Sequence, residues 1–251
     1  MNIGIIGAGP IGSTLATKFC EAGHTVKIAN SRGPETLTSI ALQTGARAVS
    51  AYDAVRDVEV VVISIPMKGI SHLPKGLFDG VRDDIVIIDT ANYYPERDGR
   101  IVAIDQGEVE SDFVSATVGR PVIKAFNNML SQVLATEGRP AGALGRIGMP
   151  IAGDNERAKR IASELVDTVG FDGVDAGNIA TSWRQQPGTP VYCTDYDAEG
   201  VRKAIARADK TRAPLNRDLV WAQFAQIPPS TTPEAVSALV RSISRAANDS
   251  T

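Results

Sequence analysis

Short apolar runs punctuate the first two-thirds of the chain, at residues 3–6, 25–29, 58–65, 85–89, 122–125 and 147–152. They are apolar throughout rather than alternating, the pattern of parallel strands buried on both faces. The segments between them carry helical spacing. Ile11, Leu15 and Phe19 recur every four residues and stop at Gly23, a natural residue for a left-handed helix end. Pro34 is placed to open a second helix at its first position. A third, over residues 156–169, puts Ile161, Leu165 and Val169 on one face. Strand and helix in alternation predict an α/β domain over residues 1–177, with a doubly wound, mainly parallel sheet of Rossmann type.

From about residue 178 the strand signals fade and three helical stretches follow. The first has Asp197 as N-cap and Val201, Ala204, Ile205 and Ala208 as its stripe. Leu219, Val220, Gln223 and Phe224 mark the second. The third runs from a Thr232 N-cap through Pro233, with Val236, Leu239, Val240 and Ile243 facing one way. Residues 178–251 are thus expected to form a mainly helical C-terminal region covering the substrate pocket. Residues 247–251 are expected to fray. The last stripe predicts a homodimer formed through the helical tail; packing of that stripe on the protein's own sheet is the alternative.

Charge and cysteine content remove several classes. Net charge is −3 with no basic patch, so neither nucleic acid nor an anionic membrane is an expected partner. The two cysteines, Cys20 and Cys193, and two histidines, His24 and His72, make no four-ligand zinc pattern, and two cysteines make no disulfide framework. No apolar run approaches a membrane span. The chain enters a strand at once, without a leader pattern, which predicts a cytoplasmic protein.

Gly7-Ala8-Gly9-Pro10-Ile11-Gly12 carries the chemistry. This G-x-G-x-x-G follows a predicted strand and opens a predicted helix, the context a dinucleotide site requires. Gly7 permits the tight turn, Gly9 admits a pyrophosphate, and Gly12 lets helix pack on strand. Pro10 and Ile11 begin the helix whose free N–H groups would hold the anion. A glycine turn that has lost its ligand is the bland alternative. At the end of the second strand, NAD sites place an acid for the ribose 2′-hydroxyl. This chain reads Asn30-Ser31-Arg32, with no acid at the tip. Arg32 and Ser31 suit a 2′-phosphate, which points to NADP(H). Otherwise Arg32 is a solvated turn residue and Asn30 binds the ribose.

Ligands of doubly wound sheets lie beyond the carboxyl ends of the strands. Ile65, Pro66, Met67, Asn92, Lys124, Phe126 and Asn127 follow predicted strand ends and are expected around the nicotinamide. Met149 and Pro150 belong to a later strand and, with Pro66 and Met67, are candidates for the apolar walls. Lys124 is the candidate catalytic group, a proton donor for a keto or imine substrate; an ion pair ordering the strand end is its equal alternative. His24 reads as structural and His72 as a surface residue. Trp183, Arg184 and the pair Gln185-Gln186 are candidates to bind an anionic or aromatic substrate, through a stacking face and a carboxylate fork, or simply form a packed loop.

Taken together, Gly7 to Ser13, the Ala29-Asn30-Ser31-Arg32-Gly33 turn and Ser64-Ile65-Pro66 resemble the NADPH-dependent coenzyme F420 reductases, the deazaflavin:NADP oxidoreductases, and related small dinucleotide-binding enzymes. Asp89-Thr90-Ala91-Asn92-Tyr93-Tyr94-Pro95, Lys124-Ala125-Phe126-Asn127 and Pro150-Ile151-Ala152-Gly153-Asp154 extend the likeness over about residues 1–175. It implies hydride transfer between NADP(H) and coenzyme F420 as co-substrate, chemistry the cofactors themselves carry. Three features depart from the family: the non-basic Thr36, the segment from Ser182 to Pro190, and a longer helical tail. A 6-phosphogluconate-dehydrogenase-like reductase of small carbonyls or imines remains the second reading, and a non-catalytic NADP(H)-sensing protein the third.

Overall fold

In the computed structural model, which describes residues 1–249, the first five apolar runs form parallel strands, and one two-residue strand without such a run joins them. These are β1 (Asn2–Ile6), β2 (Thr25–Ala29), β3 (Arg47–Ala48), β4 (Val60–Ile63), β5 (Val86–Asp89) and β6 (Ile123–Lys124). They pair in the order β3-β2-β1-β4-β5-β6. The direction of strand addition reverses between β1 and β4, the switch point where such sheets open a crevice. The register sets Ile5 beside both Ile28 and Val62. Neighbours along a strand point to opposite faces. Ile5, Ile28, Val62 and Ile88 therefore enter one core, while Ile6, Ala29, Ile63 and Ile87 enter the other.

Helices cover both faces. On the first lie α1 (Pro10–Glu21), α2 (Thr38–Thr44), α8 (Ser131–Thr136) and α9 (Glu156–Thr168), which supply Leu15, Phe19, Val133 and Leu165 to the core. On the second lie α3 (Ala51–Ala54), α4 (Met67–Ile70) and α7 (Glu110–Val118), which supply Ala54, Met67, Ile70 and Val114. Two one-turn helices, α5 (Pro95–Asp98) and α6 (Val102–Asp105), connect β5 to α7.

A second, two-stranded sheet pairs β7 (Gly148–Ile151) with β8 (Asp172–Asp175). It joins the first through one antiparallel bridge, in which Lys124 N donates to Ala152 O at 2.8 Å and Ala152 N returns to Lys124 O at 3.0 Å. A 3-10 run then spans Ile179–Gln185, followed by α10 (Ala198–Ala206), α11 (Ala213–Phe224) and α12 (Pro233–Asp249). Asp197 caps α10 through Gly200 N at 2.8 Å, and Val201 and Ala204 bury that helix against Val174 and Val191.

The structure departs from the sequence expectation in places. The second helix begins as a 3-10 turn, Pro34–Leu37, before α2. β3 and β8 lack apolar runs because they are short or edge strands: Arg47 and Asp175 are exposed. In α12 the buried residues are Ser237, Val240, Ser244 and Ala247, whereas Leu239 is exposed and Val236 and Ile243 are half-buried. Two serines and an alanine allow close approach, so packing runs along a less apolar stripe than the expected one. The fraying expected for residues 247–251 does not hold through Asp249, since Ala247 is buried and helical; Ser250 and Thr251 lie outside the described residues. Among the described residues no helix is long and apolar enough to cross a membrane. Nor is any cluster of three or more His, Cys, Asp or Glu placed to hold a metal ion.

Candidate active site

The three glycines of the β1–α1 turn do different work. Gly7 has φ +113°, and a Cβ there would lie 2.0 Å from Ser64 O. A Cβ on Gly12 would lie 2.0 Å from Gly7 O. Both glycines are thus demanded by the protein's own backbone. Gly9 is not: its φ is −77°, and a Cβ would meet nothing within 4 Å. The space beside it is open, at the N-terminus of a 12-residue helix with no side-chain cap and no acid in its first turn. Orphan N–H groups and the positive end of the helix dipole converge on that space. These residues fit a dinucleotide pyrophosphate.

Asn30, at the end of β2, organises the neighbouring turn. Its Oδ1 accepts from Arg32 N at 2.9 Å and its Nδ2 donates to Thr36 Oγ1 at 2.9 Å. Thr36 Oγ1 donates in turn to Gly33 O at 2.8 Å. Thr36 therefore holds the loop closed, and Ser31 and Arg32 stand exposed at its tip. Ile65 and Pro66 line the rim beyond β4, half-buried and exposed respectively.

Two expectations for the apolar walls are corrected. Met67 and Met149 have no exposed surface, and their side chains fill the cores on opposite faces of the sheet. His72 is exposed, with Nδ1 2.7 Å from Lys68 O. His24 packs edge-on against Phe19, and its Nδ1 lies 3.0 Å from the Met1 amine.

Asn92 and Asn127 meet beyond the ends of β5 and β6. Asn127 Nδ2 donates to Asn92 Oδ1 at 3.0 Å and to Gln185 O at 2.8 Å. Asn92 Nδ2 donates to Asn127 O at 2.8 Å and to Tyr192 Oη at 3.1 Å, and the Tyr94 and Tyr192 hydroxyls lie 2.8 Å apart. Gln185, fully buried, donates through Nε2 to Asn127 Oδ1 at 3.0 Å and to Pro150 O at 3.2 Å. Burial pushes both tyrosine hydroxyls well above their ordinary pKa, so they are neutral donors and acceptors. Phe126 turns the chain just before Asn127 in a left-handed conformation, φ +60°, uncommon for a bulky residue. Its ring is held in the core against Phe19.

The Lys124 side chain ends in a buried cluster of charges. It has no exposed surface; its Nζ donates to Asp89 Oδ2 at 3.1 Å and to the carbonyl of Ala91, with Glu110 Oε2 at 3.7 Å. Ser111 Oγ donates to the same Asp89 oxygen at 2.8 Å. This geometry is the strand-end ion pair. Burial and the neighbouring Asp89 push the Glu110 carboxyl up to about 7, with Lys124 opposing.

The C-terminal region closes over the strand ends. Trp221 of α11 lies 4.7 Å from the Tyr94 ring, and the Arg217 guanidinium lies 5.3 Å from the Tyr93 ring. Arg97 reaches back to Asn92 O at 2.5 Å while paired to buried Asp98 at 2.8 Å. Trp183 and Arg184 form a packed loop: the guanidinium stacks on the indole at 4.5 Å and donates to Ile205 O at 3.1 Å. Tyr192 and Trp221 carry no local signal in the sequence because their partners lie tens of residues away; Gln185, one of the glutamine pair beside Arg184, turns inward to Asn127 and Pro150 instead of offering a substrate contact. Tyr94 and Arg97 were within reach, in or just beyond the Asp89-to-Pro95 motif. Two cavities, about 630 and 420 Å³, lie elsewhere, between α4 and α7 and at the starts of β5 and β6. Open space is found beside Gly9.

The crevice at the switch point, with its glycine turn and strand-end polar pair, defines a Rossmann-type dinucleotide-binding protein. Residues 2–93 match the family described as NADP oxidoreductase, coenzyme F420-dependent, and the chain belongs to that family. YjhV of Escherichia coli is 32% identical over 143 residues, which are 57% of this chain and 97% of YjhV. A Sinorhizobium meliloti protein of known structure is 34% identical, over 76% of this chain and 92% of that one, with a TM-score of 0.64. An Arthrobacter protein described as an F420-dependent NADP reductase shares the fold: 22% identity, 73% and 87% coverage, TM-score 0.59.

Proposed function

We propose that the protein binds NADPH in this crevice and passes hydride to a planar redox acceptor, with coenzyme F420 as first choice. The observation that carries the reading is Gly9, a glycine that the protein's own packing does not require, beside uncapped helix N–H groups. Bound NADPH would supply the hydride. The α1 N-terminus would hold the pyrophosphate, Ser31 and Arg32 the 2′-phosphate, and Asn92 and Asn127 would border the nicotinamide end. Overall, one NADPH, one proton and one oxidised deazaflavin give NADP⁺ and the reduced deazaflavin. Face-to-face placement of the two rings contributes more here than any acid or base. The enclosed Lys124 and the family's description support this over a carbonyl or imine reductase. Stopped-flow mixing of protein, NADPH and oxidised deazaflavin tests it, with loss of deazaflavin absorbance as the expected result. Reduction of a small carbonyl or imine instead would give the site to the second reading. NADPH binding without turnover of any acceptor would make the protein a sensor.

A further inference from the structure

The acid missing from the tip of β2 returns three residues beyond Arg32. Glu35 stands in the first turn of the 3-10 segment Pro34–Leu37, with its carboxylate folded back over Gly33. A Cβ built on Gly33 would lie 2.4 Å from Glu35 Oε1 and 2.6 Å from Oε2. Gly33 has φ +99°, so a side chain there would be strained as well as blocked. Nothing of opposite charge holds the carboxylate. Among the described residues no cation lies within ion-pair range of it, Arg32 included, although Arg32 and Glu35 flank the same glycine. Asn30 and Thr36 fix the loop between them, so the spacing of the two charges is set by backbone rather than by mutual attraction.

We propose that Glu35 is a specificity-determining residue that opposes Arg32, lowering the affinity for the 2′-phosphate and leaving the affinity for NADH untouched. The inference rests on the NADPH reading above. A 2′-phosphate seated on Ser31 and Arg32 brings nearly two negative charges into the neighbourhood of this carboxylate. At about 7 Å in a water-like medium, that repulsion weakens binding roughly fivefold. It is a through-solvent effect, so salt screens it. The Debye length falls from about 10 Å at 0.1 M salt to about 3 Å at 1 M.

The test is titration of the full chain and of Glu35→Gln with NADPH and with NADH, at low and at 1 M salt. Glu35→Gln is expected to bind NADPH about three- to tenfold more tightly at low salt. The gain should disappear at 1 M salt, and NADH affinity should stay within twofold of wild type. Unchanged NADPH affinity at low salt overturns the proposal. So does a tenfold loss of NADH affinity, which would make Glu35 a ribose ligand. If the wild-type chain binds neither nucleotide, the NADPH reading itself fails; if it binds NADPH and Glu35→Gln changes nothing, only this inference fails.

Discussion

Gly9 separates what the fold needs from what the ligand needs. Its φ of −77° is open to any residue, and a Cβ there meets nothing within 4 Å. Gly9→Ala should leave the free protein folded. By restricting the unfolded chain it should add about 0.4–1 kcal/mol of stability. In a chain of this size that raises Tm by a few degrees at most. Gly9→Val should likewise stay folded, while its branched side chain fills the space a pyrophosphate must enter. Loss of two charge-assisted hydrogen bonds at roughly 1.5–3 kcal/mol each would weaken NADPH by more than a hundredfold. Gly12→Ala makes the contrast, because its Cβ would sit 2.0 Å from Gly7 O and Tm should fall. Calorimetric titration and thermal melts on the three variants read both effects. Gly9→Val that melts normally and binds NADPH with wild-type affinity would refute the reasoning and place the ligand elsewhere.

Arg32→Ala should cost roughly ten- to a hundredfold in NADPH affinity and little in NADH affinity; equal losses for both nucleotides would count against a 2′-phosphate contact. Lys124→Ala should destabilise the fold by about 3–5 kcal/mol, since it leaves Asp89 and Glu110 buried without their cation. The protein that remains folded should keep most of its hydride-transfer rate, and a loss of a hundredfold or more would restore Lys124 as a proton donor. Glu110 is held near 7 when folded and near 4.5 when unfolded. The folded state therefore holds that proton more tightly, and the stability it contributes is full below about pH 4.5 and lost as pH rises towards 7. Urea denaturation across that range should show wild type losing stability relative to Glu110→Gln, and a difference independent of pH would contradict this. The exposed Leu215, Leu219, Phe224 and Leu239 of α11 and α12 are expected to form a homodimer face; a monomer by light scattering at micromolar concentration would reject it.

The sheet was legible because its strands are buried on both faces and so read as unbroken apolar runs. β8, Asp-Gly-Val-Asp, escaped because only Val174 is buried, and β3 because two residues make no pattern. The one-turn helices α3 to α6 are too short to show periodicity. The cofactor end was legible because a G-x-G-x-x-G is local and each glycine has a backbone task. The acceptor end was not. Met67 and Met149 follow or occupy strands, yet a side chain at a strand end can turn into the core as readily as into the crevice. Lys124 could be placed at a strand end from sequence, but its direction depends on Glu110, which α7 brings in from elsewhere in the chain. Asn92 and Asn127 were found because they sit in motifs, whereas Gln185 and Tyr192 reach them only through the folded chain.

The one bonded pair between Lys124 and Ala152 has a mechanical meaning. Across it the ladder is two hydrogen bonds long, so the six-stranded sheet and the β7–β8 pair meet at a seam rather than along a continuous ladder. Gln185 stitches that seam by donating to carbonyls on both sides, Lys124 O at 3.3 Å and Pro150 O at 3.2 Å. Local opening follows the weakest cooperative boundary. Amide protons of β7, β8 and α10 should therefore exchange together, ahead of β1 and β4. The Gln185 amide, with the Asn92–Tyr192 bond and the Tyr94–Trp221 contact, would then tie the motions of the C-terminal third to the strand ends that border the nicotinamide.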